Sequence, residues 1–168
     1  LFTPAYMTEV NGMAVTFAMD LAWDIEKWKP ERAHNYIYEW ASKTFGKHLA
    51  QEIAEMQAKY YRLQAAGKDS HVYFIDYTDQ QIAQRMEEFG ALAQQAQQLS
   101  ERIPADLKDA YFELILYPIQ GAALLNEYQL SARRSMARAT AGDSIGAIND
   151  GKKVESTFNQ LNEWTNHY

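Results

Sequence analysis

The segment LAQEIAEMQAKYYRL, residues 49–63, carries the clearest helical pattern in the chain. Its large apolar residues are Leu49, Ile53, Met56, Tyr60 and Leu63. Because these positions are three or four residues apart, they fall on one face of an α-helix, which is typical of a helix that packs against a core. The segment therefore predicts a core-facing helix, and Gly67 should end it.

Two helices are expected on the N-terminal side of this segment. After an irregular start, the first extends from about Gly12 to Trp28 and is rich in Ala, Met and Leu. The second begins at Pro30, since proline fits a first helical turn, and it ends at Phe45-Gly46. The apolar residues expected on one side of each helix are Val15, Met19, Ala22 and Trp23, and Ala33, Ile37, Trp40, Ala41 and Phe45.

On the C-terminal side, residues 70–76 break the helical period and look extended. A single strand has no partner in this sequence, so we interpret them as a packed loop. Thr78-Asp79-Gln80-Gln81 is a capping box, in which the Thr side chain accepts from the amide three residues on and Gln81 reaches back. A long helix should follow. The residues expected on its buried face are Ile82, Met86, Phe89, Ala93, Ala96 and Leu99.

Ile103-Pro104 separates this helix from the next, because the residue before a proline is pushed out of the helical conformation. The following helix, from about Ala105 to Thr140, is expected to be the longest. Pro118 lies inside it, removes one backbone hydrogen bond and should kink it. A final helix is expected after the break at residues 141–144. The residues expected to point inward from it are Ile148, Val154, Phe158 and Leu161.

The elements together predict an all-α fold. Five or six helices joined by short loops are typical of an up-and-down bundle. The chain has 168 residues and 47% hydrophobic residues, which is enough for one core. We therefore expect a single domain over residues 1–168, with one long helix kinked at Pro118.

Composition excludes several classes of protein. A net charge of -6 argues against a nucleic-acid partner. The chain has no cysteine, which excludes disulfides, zinc-thiolate sites and cysteine nucleophiles. No stretch reaches the roughly 18 apolar residues that a membrane span requires.

Leu1-Phe2-Thr3-Pro4 is neither an initiator Met nor a signal peptide, so we expect the chain to be a fragment of a larger multidomain protein.

Metal chemistry is one possibility, because helical bundles host di-iron sites. Such a site needs two Glu-x-x-His motifs on facing helices, and the chain has one, Glu31-Arg32-Ala33-His34, in a first helical turn. His48 and Glu52 lie four residues apart, a common arrangement on solvated helices. We therefore predict no metal or cofactor site and keep a metal-dependent bundle enzyme as a third hypothesis.

Acid and base catalysis of glycoside cleavage needs two carboxyl groups held across a cleft. The candidate pairs are Glu52 with Glu55, Glu87 with Glu88, and Asp106 with Asp109. All of them lie on predicted helix exteriors or at helix N-termini, where solvation or the helix dipole explains them. The usual nucleophile and phosphate-binding motifs are absent from the sequence. We therefore predict no catalytic residue in this chain.

Aromatic content is unusually high, with four Trp, eleven Tyr and seven Phe. Trp and Tyr combine a large apolar body with a polar group, so they serve cores, interdomain contacts and sugar-stacking surfaces. Trp23, Trp28, Tyr38 and Tyr61 lie off the main apolar faces. For these four residues, contact with a neighbouring domain or subunit and a place at the edge of the core both remain open.

Three blocks of sequence carry a resemblance to a known family. The first is Tyr38-Glu39-Trp40-Ala41 with Phe45-Gly46, and the second is Glu52-Ile53-Ala54 leading to Tyr60-Tyr61-Arg62-Leu63. The third is DAYFELILYPI, residues 109–119, and Arg133 to Ala139 follow in the expected order. Together they resemble the helical region that follows the catalytic barrel in glycoside hydrolase family 115, the xylan α-1,2-glucuronidases. The chain departs from the family at Ala65–Asp69, where a basic Arg-Lys-Pro-Glu stretch is frequent.

The resemblance implies that the acid, base and glucuronate-binding residues belong to the preceding barrel, so none is assigned here. It implies a non-catalytic domain that packs against the catalytic barrel, holds neighbouring domains and contributes to a homodimer, with the polysaccharide bound only through the parent chain. It also implies a periplasmic or extracellular location. The candidate interdomain or packing residues are Trp23, Trp28, Trp40, Phe45, Tyr61, Tyr117 and Pro118.

A second hypothesis comes from a different class of function. The chain could be a free-standing helical binding module, which uses its aromatic residues to hold a partner protein, a peptide or an oligosaccharide. A concave groove lined by aromatic residues would favour this alternative, whereas a flat apolar face would not.

Overall fold

The computed structural model describes residues 12–166, and within this range the chain is helical with no β-strand. The helices are α1 (Gly12–Trp23), α2 (Pro30–Ala33), α3 (Tyr36–Phe45), α4 (Lys47–Ala65), α5 (Asp79–Ser100), α6 (Lys108–Tyr111), α7 (Tyr117–Thr140) and α8 (Ser144–Thr165). Six of them have ten residues or more. The all-α prediction is confirmed. The irregular start expected before Gly12 lies outside the described residues.

The described chain divides into two compact units. Unit 1 contains the described residues up to Lys59 together with Gln95–Pro118, and unit 2 contains Tyr60–Gln94 together with the described residues from Ile119 onward. The single domain expected over residues 1–168 stays a prediction.

Helices α4 and α5 follow their predicted patterns. In α4, Leu49, Ile53, Met56 and Leu63 are buried, and Tyr60 is partly buried. The expected face of α5 is also inward, with Met86 partly buried and the other five residues buried. The capping box forms as predicted, since Gln81 N donates to Thr78 Oγ1 at 3.2 Å and Thr78 N donates to Gln81 Oε1 at 2.9 Å. Strong helical periodicity therefore located these two helices correctly.

The N-terminal helices are shorter than predicted. Helix α1 ends at Trp23, five residues before the expected end at Trp28. The single helix expected from Pro30 to Phe45 is divided at His34 and Asn35, so α2 is one turn long. Asn35 precedes α3 with helical φ and ψ, and its side chain makes no capping hydrogen bond. The division was not predicted, because this stretch contains neither glycine nor a second proline.

The segment expected to be an extended loop at residues 70–76 is instead a 3₁₀ helix over Asp69–Phe74. Val72 is fully buried and packs with Ile82 and Leu130 in the core of unit 2. A 3₁₀ turn has three residues per turn, which is too short a repeat for the helical periodicity to reveal.

The region expected as one helix from about Ala105 to Thr140 has three forms of helix. A 3₁₀ turn at Ala105–Leu107 leads into α6, a π-helical turn covers Phe112–Leu116, and α7 follows. In the π turn, Tyr117 N donates to Phe112 O, five residues earlier. The α-helix is thus already interrupted before Pro118. A π turn is a recognised way for a helix to accommodate a lost backbone hydrogen bond.

Helix α8 turns a polar side inward. Its buried residues are Gly146, Asp150 and Thr157. Ile148 and Phe158 were expected to point inward, but they are 59% and 49% exposed, so that expectation is wrong. The reason lies on α7, where arginine side chains face α8 and pair with Asp150.

Candidate functional site

Three aromatic rings form a cluster in unit 1, beside the loop between α1 and α2. The Tyr36 ring lies 4.6 Å from Phe17 and 4.7 Å from Trp28, measured between centroids. The Tyr36 hydroxyl donates to Asp20 Oδ2 at 2.9 Å. Burial, this hydrogen bond and the negative charges of Asp20 and Glu39 raise the pKa of Tyr36 above its usual range. Trp28 is only 3% exposed, so it is a core residue of this unit.

A second aromatic cluster in unit 1 contains Trp40, Phe45 and Tyr111. Phe45 is fully buried and has edge-on contacts with the rings of Trp40, at 5.8 Å, and Tyr111, at 6.0 Å. The Tyr111 hydroxyl donates to Ala96 O at 2.8 Å. Burial, and secondarily the charge of Glu52, raise the pKa of Tyr111. Trp40 and Phe45 therefore pack within this unit.

An apolar groove with a volume of about 620 Å³ lies next to the first cluster. Its lining residues are Phe17, Leu21, Ile25, Glu26, Trp28, Lys29, Pro30 and Ala33. Two large apolar side chains close by are exposed, with Trp23 at 92% and Ile25 at 68%. Lys29 and Glu26 form an ion pair at 2.5 Å. This part of unit 1 therefore exposes two large apolar side chains beside an apolar groove.

A second, more polar groove of about 400 Å³ is formed by residues around the start of α3 and along α4. Its lining residues are His34, Asn35, Ile37, Tyr38, Gln51, Ala54, Glu55 and Ala58. Gln51 Nε2 donates to Glu55 Oε1 at 2.7 Å. Tyr38 is 40% exposed, so one aromatic ring is available at this surface.

Tyr61 and Tyr117 each have a ring neighbour within their own unit. The Tyr61 ring contacts Tyr60 edge-on at 5.4 Å, and burial raises the pKa of Tyr61 to about 12. Tyr117 packs against Phe112 at 5.8 Å. Pro118 is buried. Of the seven candidate residues, Tyr61 belongs to unit 2 and the other six belong to unit 1. Trp23 alone among them is almost fully exposed.

Among the carboxylates considered for catalysis, Glu52 and Glu88 accept hydrogen bonds from other side chains. Glu52 accepts two hydrogen bonds from the Arg102 guanidinium, at 3.1 and 2.9 Å. Glu88 accepts from Gln84 at 3.0 Å. Within residues 12–166, no group of three or more His, Asp or Glu side chains is arranged to hold a metal ion. None of the helices in that range is long and apolar enough to cross a membrane.

Sequence reasoning missed two arginine networks in unit 2, one buried and one partly buried. Arg85 is 5% exposed and donates to the Asn126 side chain and to the carbonyls of Leu63 and Gly67. Arg134 makes a two-pronged contact with Asp150, at 2.5 and 2.9 Å. The hydrogen bond to Asp150 raises the pKa of Arg134 further. Arg85 lies on the apolar side of α5, one residue before Met86. An arginine on that side of the helix indicates a buried charge that needs partners, so the sequence contained a sign of this network.

Comparison with known proteins gives a match to one family model over part of the chain. Residues 9–71 match the model for glycosyl hydrolase family 115. The predicted resemblance to family 115 is confirmed. The matched residues contain the first two sequence blocks, and therefore Trp40 and Phe45. No curated protein sequence matches the chain.

A solved structure is also similar to this chain. It is described as "A novel family GH115 4-O-Methyl-alpha-glucuronidase, BtGH115A, with specificity for decorated arabinogalactans". The TM-score is 0.77 with 23% sequence identity over 90% of this chain, a likeness that shows the shared fold. The alignment covers 21% of the other chain, so this chain spans about a fifth of the length of that family 115 protein.

Proposed function

We propose that this chain is a non-catalytic helical domain of a multidomain glycoside hydrolase of the family 115 type. The parent enzyme releases glucuronic acid or 4-O-methylglucuronic acid from xylan, in the periplasm or outside the cell. The observation that supports the proposal most directly is that part of this chain matches the family 115 model, while the chain aligns with only 21% of the length of a family 115 4-O-methyl-α-glucuronidase. The remaining part of such a protein has room for a catalytic domain.

The engaged carboxylates support the non-catalytic part of the proposal. A glycosidase needs one carboxyl group free to donate a proton and a second free to act as base or nucleophile. Glu52 is held by Arg102 and Asp150 by Arg134, in both cases through two hydrogen bonds. We assign these acids to the stability of the helices.

The apolar surface around α1 supports an interdomain role. Trp23 and Ile25 expose large apolar side chains beside the apolar groove. Burying an exposed side chain of this size contributes roughly 2 kcal/mol or more to association. We propose that this surface packs against a neighbouring domain of the parent chain, and that a second copy of the parent completes a homodimer elsewhere.

The test compares three proteins: the 168-residue chain, its parent chain, and the parent chain with this segment deleted. Glucuronic acid release is measured on glucuronoxylan and on a glucuronate-decorated arabinogalactan. The proposal expects no release by the 168-residue chain and release by the parent. Release by the 168-residue chain alone would overturn the non-catalytic role, and a parent active only on the arabinogalactan would correct the substrate.

The alternative, a free-standing binding module, has one observation in its favour. The two grooves of unit 1 are lined by aromatic side chains, Phe17 and Trp28 in one and Tyr38 in the other. A parent reading frame that contains only this helical segment would favour the alternative over the domain proposal.

A further inference from the structure

The polar groove of unit 1, with Tyr38 at its edge, has the composition of a small-molecule site. Its volume of about 400 Å³ lies within the range of ligand pockets, which is roughly 300 to 1,000 Å³. Ala54 and Ala58 present only methyl groups along α4, and they leave the space that larger side chains would fill. Around them, Tyr38 offers an aromatic ring, and four other residues offer polar groups: His34, Asn35, Gln51 and Glu55.

The polar groups of the groove keep hydrogen-bonding capacity. A carboxylate has about four acceptor positions and a primary amide has two N–H donors. The bond from Gln51 to Glu55 uses one donor and one acceptor position, and it fixes the two side chains together. Asn35 stands at the N-terminus of α3, where asparagine usually caps the helix. Its side chain makes no capping bond there, so its amide is available to the groove.

We propose that this groove binds a neutral saccharide, with one sugar ring against Tyr38 and its hydroxyl groups bonded to Gln51 and Glu55. A sugar ring has an apolar C–H face and polar hydroxyl edges, which match an aromatic ring flanked by planar amide and carboxylate groups. The site would let a helical domain hold the polysaccharide backbone, separately from the glucuronate that the parent releases. In this respect the inference rests on the proposed function, which provides the saccharide.

The charge of the groove selects neutral sugars over uronic acids. Glu55 is the one carboxylate among the lining residues, and none of them is Lys or Arg. A glucuronate carboxyl group placed here would face Glu55 with neither a Lys nor an Arg among the lining residues to pair with it, and like charges at close range repel. The groove is therefore not suited to the group that an α-glucuronidase cleaves.

The experiment is a titration of the ¹⁵N-labelled 168-residue chain with xylotriose, followed by amide NMR. Glucuronic acid at the same concentrations is the anionic comparison. The variants are Tyr38→Ala, Tyr38→Phe and Gln51→Ala. Gln98→Ala makes the same chemical change on an exposed position of α5 and serves as the matched control. Circular dichroism establishes that each variant is folded.

The proposal expects saturable shifts at residues 34–38 and 51–58 with xylotriose and not with glucuronic acid. Loss of the aromatic face in Tyr38→Ala should weaken binding about tenfold, while Tyr38→Phe stays within about threefold. Gln51→Ala should weaken binding and Gln98→Ala should not.

Three results would overturn the proposal: no saturable shift with xylotriose, equal binding of glucuronic acid, or binding unchanged by both Tyr38→Ala and Gln51→Ala. Each of them leaves the interdomain role intact, because that role is measured with the parent chain.

Discussion

The side-chain amide of Gln57 donates a hydrogen bond to the backbone carbonyl of Leu114, with 3.0 Å between Nε2 and O. In a regular α-helix this carbonyl would accept from the amide of residue 118, but Pro118 has no N–H. Gln57 on α4 is 2% exposed and therefore supplies a buried donor at the position where the proline removes one. The interrupted long helix and α4 are coupled at this point within unit 1.

Replacing Gln57 with alanine should lower the free energy of unfolding by about 1 to 3 kcal/mol, because a buried carbonyl loses a donor. The coupling is measured in a double-mutant cycle with Pro118→Ala. Alanine restores an N–H at residue 118, so Gln57→Ala should be less harmful in that background, with a coupling of about 1 kcal/mol. Urea denaturation provides the four free energies.

Gln97→Ala is the matched control for this cycle, since Gln97 is exposed on α5 in the same unit. Its effect on unfolding should stay within about 0.5 kcal/mol. Strict additivity of Gln57→Ala and Pro118→Ala would show that the side-chain bond does not compensate for the proline.

The contrast between α4 and α8 shows what the sequence could reveal. Leu49, Ile53 and Met56 are buried as predicted, because apolar residues on one face have no better place than a core. On α8 the same reasoning placed Ile148 inward. In the structure Ile148 is exposed and Asp150 is buried instead, because Asp150 pairs with arginine side chains of α7. A charged residue is buried only when a residue elsewhere in the chain pairs with it, and the sequence of a single helix does not show which residue that is.

The candidate grooves were beyond prediction for a similar reason. The polar groove depends on the division between α2 and α3, at His34 and Asn35, which no helix-breaking residue announces. The groove also combines residues 34–38, before and in α3, with residues 51–58 of the following helix α4. The sequence did indicate Tyr38 as an aromatic residue off the main apolar faces. Its neighbours Gln51 and Glu55 looked like ordinary solvated residues.

Asp150→Asn should destabilise unit 2 by about 2 to 4 kcal/mol. The Asp150 side chain is 6% exposed, and the neutral amide would leave Arg134 without its negative partner and Arg138 with only its longer contact to Asp143, at 3.9 Å. Thermal and urea unfolding measure the loss. Glu163→Gln, on the exposed part of α8, removes a negative charge from the same helix and should change stability by less than about 0.5 kcal/mol.

The salt dependence of the unfolding free energy distinguishes the Asp150 network from an exposed ion pair. Added salt screens exposed charges strongly and buried pairs weakly. The difference in unfolding free energy between the unmodified chain and Asp150→Asn should therefore remain nearly constant as the salt concentration rises. A difference that disappears in high salt would place the Arg134 contact among ordinary surface ion pairs.

Alkaline pH should destabilise the chain through its buried tyrosines. Burial raises the pKa of Tyr61 from 10.0 to about 12, so the folded state keeps the phenolic proton over a pH range in which the unfolded state loses it. The stability present below pH 10 is lost as the pH rises toward 12, by up to about 1.4 kcal/mol per pH unit for one group.

Tyr61→Phe removes this proton and should make the loss of stability between pH 10 and 12 shallower. The pKa values of Tyr36 and Tyr111 are also raised, so part of the pH dependence should remain. Urea denaturation at a series of pH values gives the slope for each protein. Tyr38→Phe, at a tyrosine that is 40% exposed, serves as the control. Identical slopes for Tyr61→Phe and the unmodified chain would contradict the prediction.

Trp23 and Trp28 lie five residues apart, yet the structure gives them opposite surroundings. Trp28 is 3% exposed and packs against Phe17 and Tyr36, whereas Trp23 is 92% exposed. Trp28→Ala should therefore lower the free energy of unfolding of the 168-residue chain by about 3 to 5 kcal/mol, which is usual for a large side chain removed from a core. Trp23→Ala should change it by less than about 0.5 kcal/mol.

The same pair distinguishes packing within the chain from packing against a neighbouring domain. If Trp23 lies in an interdomain contact, Trp23→Ala should destabilise the parent enzyme and increase its proteolysis between domains, although the 168-residue chain is unaffected. Unfolding of both proteins, with and without the substitution, measures this difference. Because an exposed tryptophan that gains a partner buries a large apolar area, the expected loss in the parent is about 2 kcal/mol or more. An unchanged parent enzyme would remove Trp23 from the interdomain surface and leave the apolar groove beside Trp28 as the remaining candidate.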